Sequence, residues 1–380
     1  MIIRRICIAI RDSFFKGKII QLLGPRQVGK STLLKQLAES YQEPILWLNG
    51  DEADVRKMLS DTTSTELKTI IGQHKLVIID EAQRIENIGI TLKLMADNLK
   101  NVQVIATGSS AFELANRINE PLTGRKYEFF LYPISFGEMV DHTSLLEERR
   151  LVERRMIYGF YPEVVTKPAE ARENLNLISS SYLYKDIFEW KQIKKPALLE
   201  NILQALALQL GNEVSYLELA QLTRSDNETI ERYITLLESA FVIFRLGSLS
   251  RNLRSELKRS RKIYFWDVGI RNAIIKNFNP LHLRNDTGAL WENFLIVERI
   301  KSNAYANRLT NKWFWRTHTL QEIDYVEEES GKMAAFEFKW NMHKTSSVFP
   351  RTFQQAYPEA TTKIIDQKNF TDFILSPPQP

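Results

Sequence analysis

Along the first 130 residues the hydrophobic pattern changes period at intervals: short apolar runs end at glycine or polar residues, and segments of helical period follow. The runs are Ile19 to Leu23, "EPILWLNGDE", Leu76 to Ile79 ending in Asp80-Glu81, "NVQVIATGSS" and "RKYEFFLYPISF". Four consecutive apolar residues, as in Leu76 to Ile79, suit a central parallel strand covered on both faces. Strands alternating with helices predict an α/β domain with a parallel sheet between two helical layers.

From Ser135 to about Lys195 the pattern turns helical and charged, with "EERRLVERRMIYGFYPEVV" interrupted at Gly159 and Pro162, and predicts a helical lid on that sheet. "QIKKPALLE" marks a boundary, Pro196 being suited to the first turn of the next helix. "SYLELAQLT" and "SDNETIERYITLLESAF" predict two amphipathic helices across a tight turn. The second carries Ile230, Tyr233, Ile234 and Leu237 on one face and opens on a capping box of Ser225 and Glu228. Two strands, "FVIFRL" and "KIYFWD", complete the order of a winged helix-turn-helix. The last hundred residues predict a helix in "TGALWENFLIVERI" and two strands, "KWFWRTHTLQEIDYVEEE" and "KMAAFEFKW", around a turn at Ser330-Gly331. A short helix from Thr352 to Tyr357 and a strand in "TKIIDQ" finish a small α/β layer. Domains are therefore expected at 1–195, 196–282 and 283–380.

The first strand runs into "GPRQVGKST", which fits G-x-x-x-x-G-K-[ST] at Gly24, Gly29, Lys30 and Ser31. Glycines let the loop wrap phosphate oxygens, backbone N–H groups and the helix N-terminus donate to them, and Lys30 brings a cation to the β- and γ-phosphates. The binding loop is expected to comprise Gly24, Pro25, Arg26, Gln27, Val28, Gly29, Lys30, Ser31 and Thr32, with ATP as cofactor. Ser31 and Asp80 are the expected Mg²⁺ holders, and Glu81 the residue that polarises the attacking water. Thr107, Ser109 and Ser110 end a strand where a side chain senses the γ-phosphate, although small polar residues end strands for turn reasons as well. Arg125, after Gly124, has two open readings: a finger for a neighbouring subunit's γ-phosphate in a homo-oligomer, or a turn cap.

In the last hundred residues, strand alternation puts Glu337 and Lys339 on one face with Phe336 and Phe338 on the other, and the hairpin can bring Asp324 beside Glu337. Two carboxylates that hold Mg²⁺, a lysine that positions water and Glu292 as a further carboxylate would suit metal-assisted phosphodiester hydrolysis. An edge hairpin with one charged face is the competing reading.

Charge sharpens one region. The chain of 380 residues carries +5, and "RNLRSELKRSRK" (Arg251 to Lys262) alone holds six basic residues against Glu256. A cationic wing suits a DNA backbone. The helix before it carries Glu228, Glu231 and Glu238 against Arg232, which repels phosphate, so DNA contact and protein contact both stay open. Cys7 is the single cysteine, which excludes an internal disulfide and a zinc-thiolate site and fits a cytoplasmic location. No apolar run reaches 18 residues, so no membrane helix is expected. "MIIRRICIAIRDSFF" is broken by Arg4, Arg5, Arg11 and Asp12 and does not suit a signal peptide.

Taken in order, GPRQVGKSTLL, LVIIDEAQ, ATGSSAFEL, TGR and LYPISFGE resemble a widespread group of prokaryotic AAA-type ATPases with a C-terminal domain of unknown function. GFYPEVV, KIYFWDVGIRNAI, GALWENFLIVE, WFWRT…EIDYV and AAFEFKW extend the resemblance over essentially the whole chain. It implies a P-loop NTPase sheet with a helical lid, then the winged helix, then a small α/β domain of restriction-endonuclease-like PD-(D/E)XK fold. Glu292, Asp324, Glu337 and Lys339 fall on that fold's site positions. The expected function is Mg²⁺-dependent ATP hydrolysis coupled to a nucleic-acid-binding, nuclease-like arm. The alternatives are an ATP-dependent switch or scaffold for a partner protein, and a DNA motor without cleavage.

Overall fold

The computed structural model describes residues 2–39, 41–108, 122–182, 195–249, 261–341 and 349–375. The chain divides into two compact units, one built on Met1–Ile134 and the other on Ser135–Ser181, Ile193–Glu238 and Val242–Pro380, with short returns of the chain to the first. The helices expected as a lid after Ser135 thus group with the second unit.

In the first unit, β1 (Ile19–Leu23), β2 (Ile45–Asn49), β3 (Leu76–Asp80), β4 (Gln103–Gly108) and β5 (Lys126–Phe130) form one sheet in the order β2-β3-β4-β1-β5. All its pairings are parallel. α1 (Ile6–Arg11), α2 (Lys30–Glu39), α3 (Ala53–Leu59), α4 (Ser64–Ile71) and α5 (Ile88–Asn98) alternate with the strands. A core including Leu23, Leu48, Val77, Ile79, Leu92 and Ala106 joins sheet to helices. The start of α4 is fixed by a reciprocal capping box between Thr63 and Glu66. Because β4 lies between β1 and β3, the ends of three parallel strands open side by side on the carboxyl edge, where such sheets bind ligands.

The second unit starts with α6 (Phe136–His142), α7 (Leu145–Arg150), α8 (Val152–Tyr158), α9 (Pro162–Thr166) and α10 (Ala171–Leu177). Next come α11 (Pro196–Leu208), β6 (Glu213–Val214), α12 (Tyr216–Thr223), α13 (Asn227–Ser239), β7 (Ile243–Ser248) and β8 (Arg261–Phe265). The face expected on α13 is buried at Ile230, Tyr233, Ile234 and Leu237. Its cap differs from expectation. Asp226 Oδ1 accepts from Thr229 N at 2.8 Å, while Ser225 is taken up by the preceding turn, its N–H donating to Ala220 O at 2.8 Å. The helix therefore starts one residue later than a Ser225 cap would place it.

α14 (Val268–Ile274), α15 (Thr287–Tyr305), β9 (Asn311–Arg316), β10 (Glu322–Glu329), β11 (Lys332–Phe338), α16 (Arg351–Ala356), β12 (Thr361–Ile365) and α17 (Phe370–Leu375) complete the unit. The long run expected as one strand is two, β9 and β10. Thr317 N donates to Gln321 O at 2.9 Å and Leu320 adopts φ 63°, so the chain reverses there and the halves pair antiparallel. The next hairpin turns where expected, with positive φ at both Ser330 and Gly331, the geometry a tight two-residue turn requires.

β6 to β12 form a single seven-stranded sheet, β12-β11-β10-β9-β7-β8-β6. β7 and β9 pair in parallel at Gly247↔Trp313 and Ser248↔Phe314, so the sheet is continuous across the boundary expected at 282. Asp267 joins α14 to the end of α8: its carboxylate caps Ile270 N at 3.1 Å and accepts from Phe160 N at 2.7 Å. A Cβ on Gly269 would stand 2.1 Å from Tyr158 O, which accounts for glycine in "WDVGI".

Candidate functional sites

The first site gathers at the carboxyl edge of the parallel sheet. Lys30, 6% exposed, donates from Nζ to Gly24 O at 2.8 Å and Pro25 O at 3.0 Å, which holds it across the mouth of its own loop. Ser31 Oγ donates to Asp80 Oδ2 at 2.8 Å, and Thr107 Oγ1 donates to the other oxygen of the same carboxylate. Glu81 N is shared between Asp80 Oδ1 at 3.1 Å and Thr107 Oγ1 at 3.2 Å. The start of α2 and the ends of β3 and β4 thus meet on Asp80. Ser31 and Asp80 present hard oxygen donors, a hydroxyl and a carboxylate, and this set fits Mg²⁺. Glu81 sits in the left-handed region at φ 50°, and Gln83 Nε2 donates to its Oε2 at 2.5 Å.

Two residues that sequence reasoning passed over shape this edge. Arg4, ahead of α1, is 6% exposed and donates to Val28 O at 2.8 Å and Tyr132 O at 2.6 Å, bracing the loop from below. Gly50 packs so closely that a Cβ would lie 2.3 Å from Glu81 O. A glycine directly after a strand, in "LNGDE", was the available signal for Gly50; Arg4 had none. Arg125 precedes β5, at the opposite edge from the loop, because Ile19 pairs with Lys126 and Leu23 with Phe130. It pairs with Asp97 at 2.7 Å, so within one chain the structure does not bring it to Lys30 or Asp80. Ser109 and Ser110 lie outside the described residues.

The second site is built on the seven-stranded sheet. The β10–β11 register sets Asp324 opposite Glu337, next to the pair Tyr325↔Phe336. Phe338 N donates to Asp324 Oδ2 at 2.8 Å, and Lys339 Nζ meets Glu337 Oε2 at 3.1 Å. Phe336 and Phe338 point away and pack on Phe373, as alternation requires. Glu292 arrives from α15, but its partners come from β8: Lys262 Nζ at 2.9 Å and the Tyr264 hydroxyl on Oε1. Lys262 Nζ also meets Glu322 Oε1 at 2.5 Å.

These groups feel one another. Burial first, then the charge of Asp324, holds Glu337 up at about 7 against Lys339. Burial likewise holds Glu292 at about 7, with Lys262 opposing and Asp324 adding to the rise. Asp324 is itself raised by burial, against the pull of Lys262. For Lys339, burial disfavours the ammonium, but Glu337 and Asp324 outweigh it and raise the group. Among the described residues, no three of His, Cys, Asp or Glu are arranged to hold a metal ion. The donor set that remains is the facing pair Asp324 and Glu337, whose crowded carboxylate oxygens fit a hard divalent cation.

The geometry also corrects one expectation. Lys262 is not part of an exposed basic wing: it is 1% exposed and turned into the carboxylate cluster. Arg261 leans on the Tyr216 hydroxyl at 3.1 Å and on Glu231 at 3.8 Å. Arg251, Arg254, Lys258 and Arg259 lie outside the described residues.

Comparison with known proteins divides the chain into three stretches, the last two of which share the seven-stranded sheet. Residues 16–140 match a family described as an AAA domain. Residues 149–281 match a domain of unknown function (DUF8612), and residues 287–372 match another (DUF4143). Similar curated proteins include an uncharacterized protein of Haemophilus influenzae, 26% identical over 351 residues, covering 86% of this chain and 84% of that one. An uncharacterized protein of Mycobacterium tuberculosis is 26% identical over 339 residues, covering 87% and 72%. Among solved structures, a signal transduction ATPase with numerous domains from Pyrococcus horikoshii overlays at TM-score 0.28 and 12% identity over 81% of this chain. This chain spans 48% of that neighbour's length. Drosophila ORC bound to AT-rich DNA and Cdc6 overlays at TM-score 0.27 and 13% identity, covering 71% of this chain and 90% of that one. The whole first site falls inside the AAA domain, which supports nucleotide binding and hydrolysis by the first unit. The second site is drawn from both domains of unknown function: Lys262 and Tyr264 from one, Glu292, Asp324, Glu337 and Lys339 from the other.

Proposed function

We propose that the chain is a cytoplasmic, Mg²⁺-dependent ATPase whose second unit acts on nucleic acid through a winged helix-turn-helix and a nuclease-type carboxylate site of PD-(D/E)XK kind. The observation that carries the ATPase half is the meeting of Ser31, Thr107 and Glu81 N on the carboxylate of Asp80, beside a Lys30 already seated in its loop. Gly24 to Thr32 cradle the phosphates with backbone N–H groups and Lys30 holds their charge. Ser31 and Asp80 would hold Mg²⁺, which supplies neutralisation of phosphate charge. Glu81, held by Gln83, orients the attacking water, and Thr107 keeps Asp80 aimed. Arg125, remote from its own loop, serves a neighbouring copy in a homo-oligomer.

In the second unit, the helices α11, α12 and α13 with strands β6, β7 and β8 run in winged-helix order, and α15 with β9 to β12 supports an endonuclease-like layer. Asp324 and Glu337 would hold the divalent ion there, and Lys339 positions water against the phosphodiester. Two experiments test the whole. Lys30→Ala is expected to abolish MgATP binding and Glu81→Gln to bind ATP without turning it over; undiminished turnover in the glutamine variant removes Glu81 from its role. Purified protein with Mg²⁺ or Mn²⁺, with and without ATP, is expected to nick DNA or RNA, and Asp324→Ala to stop it; equal cleavage by both proteins rejects the nuclease.

A second reading draws on Lys262. With its ammonium filling part of the cluster, the carboxylate site would be silent and the second unit would bind a partner protein under nucleotide control. The acidic face of α13 favours the same outcome. Salt-dependent DNA binding, weakened by neutralising Arg254, Lys258 and Arg259, separates the two in favour of the first.

A further inference from the structure

We propose that Lys262 is a positioning residue of the carboxylate site: a built-in cation that ties up Glu292 and weakens the hold of Asp324 and Glu337 on a divalent ion. The inference rests on the carboxylate-site reading above and adds a residue from outside the motif. Alternation along β8 turns Lys262 and Tyr264 to the same face of the sheet, and both reach Glu292 Oε1. A lysine 1% exposed is tolerated only when its charge is paired, and two acids do that here, Glu292 at 2.9 Å and Glu322 at 2.5 Å.

The arrangement resists relaxation. Glu322 is shared with Arg316 at 3.4 Å, which also reaches Glu213 at 3.6 Å, so ion pairs run from β6 through β9 and β10 to β8. Phe314 lies under the ammonium at 5.5 Å from its ring centroid. Lys262 has no nearby solvent to swing into, and Glu292 cannot turn to a metal without abandoning a buried cation. A fixed positive charge beside the pair also repels a divalent ion through a medium that screens it poorly. Lys339 differs: it touches Glu337 itself and is far more exposed, so it can move aside.

The test is a Mn²⁺ titration of the nucleotide-free full chain at pH 8, with free Mn²⁺ read by electron paramagnetic resonance. The binding counted is the part lost in Glu337→Gln, which sets aside the ATPase site. Lys262→Met is expected to bind Mn²⁺ about tenfold more tightly than the natural chain. Lys262→Gln, a second neutral variant, is expected to tighten binding to a similar degree. Unchanged or weaker binding by a folded Lys262→Met protein overturns the proposal. So does unchanged or weaker binding by Lys262→Gln, and this arm decides alone if the methionine variant does not fold. If Glu337→Gln binds as the natural chain does, the carboxylate-site reading itself fails; if only Lys262→Met disappoints, that reading stands without Lys262.

Discussion

At the scale of single residues, the ATPase site depends on how few groups share Asp80. One oxygen takes the Ser31 hydroxyl and the other takes Thr107 Oγ1 and Glu81 N. Thr107 therefore sets the carboxylate's direction and the spacing of Glu81. Thr107→Val keeps the shape and deletes the donor, at about 1.5–3 kcal/mol for a hydrogen bond to a charged group. ATP turnover is expected to fall on the order of tenfold or more with MgATP affinity retained, since the loop and Lys30 are untouched. Parallel steady-state kinetics and equilibrium nucleotide binding check it, and an equal loss in both would mean that Thr107 only supports the fold. The motif made Lys30, Ser31, Asp80 and Glu81 legible in the sequence, because phosphate chemistry dictates those types at those spacings. Arg4 was not legible: a guanidinium bracing Val28 O and Tyr132 O leaves no local pattern.

At the scale of elements, charged side chains fix how helices of the second unit meet. Arg271 of α14 donates to Ala207 O of α11 at 2.7 Å and joins Arg284 on Asp286, which precedes α15. Burial works to raise Asp286, but hydrogen bonds from Arg284 and Arg271 outweigh it and hold the carboxyl at about 2. A folded-state value below the unfolded one means that this stability is complete above about pH 4 and is lost as pH falls towards 2. The contribution at neutral pH is about 2 kcal/mol. Asp286→Asn should lower thermal stability at pH 7 by an amount of that order and make little difference near pH 2. A melting series of both proteins from pH 7 to pH 2 tests the sign. Element identity was largely legible, α13 and the Ser330-Gly331 turn included, since period and turn chemistry are local. The cap at Asp226 and the break between β9 and β10 were missed because competing local signals, Ser225 with Glu228 and a continuous β-prone run, stood beside the true ones.

At the scale of the molecule, one sheet unites what the sequence presents as two domains. β9 hydrogen-bonds β7, and Lys262 of β8 neutralises Glu292 of α15. Cutting at 282 bares the β7-facing edge of β9 and strips Glu292 of both its β8 partners, Lys262 and Tyr264. Residues 283–380 expressed alone are expected to aggregate or to lack cooperative unfolding, whereas 135–380 should melt cooperatively. Circular dichroism of the two fragments decides it, and a soluble, cooperative short fragment would make the shared sheet incidental.

The sequence by itself determined the parallel α/β sheet, the phosphate loop with its acidic partner, and the alternation that turns Glu337 and Lys339 to one face. Each depends on a period or spacing only a few residues long. Tertiary structure decided that Thr107 bridges Asp80 and Glu81 N, that Arg125 stands at the far edge, and that Lys262 belongs to a carboxylate cluster and not to a basic wing. Those outcomes depend on strand order and on pairing between distant segments, where charge along the chain says nothing about which face a side chain will occupy.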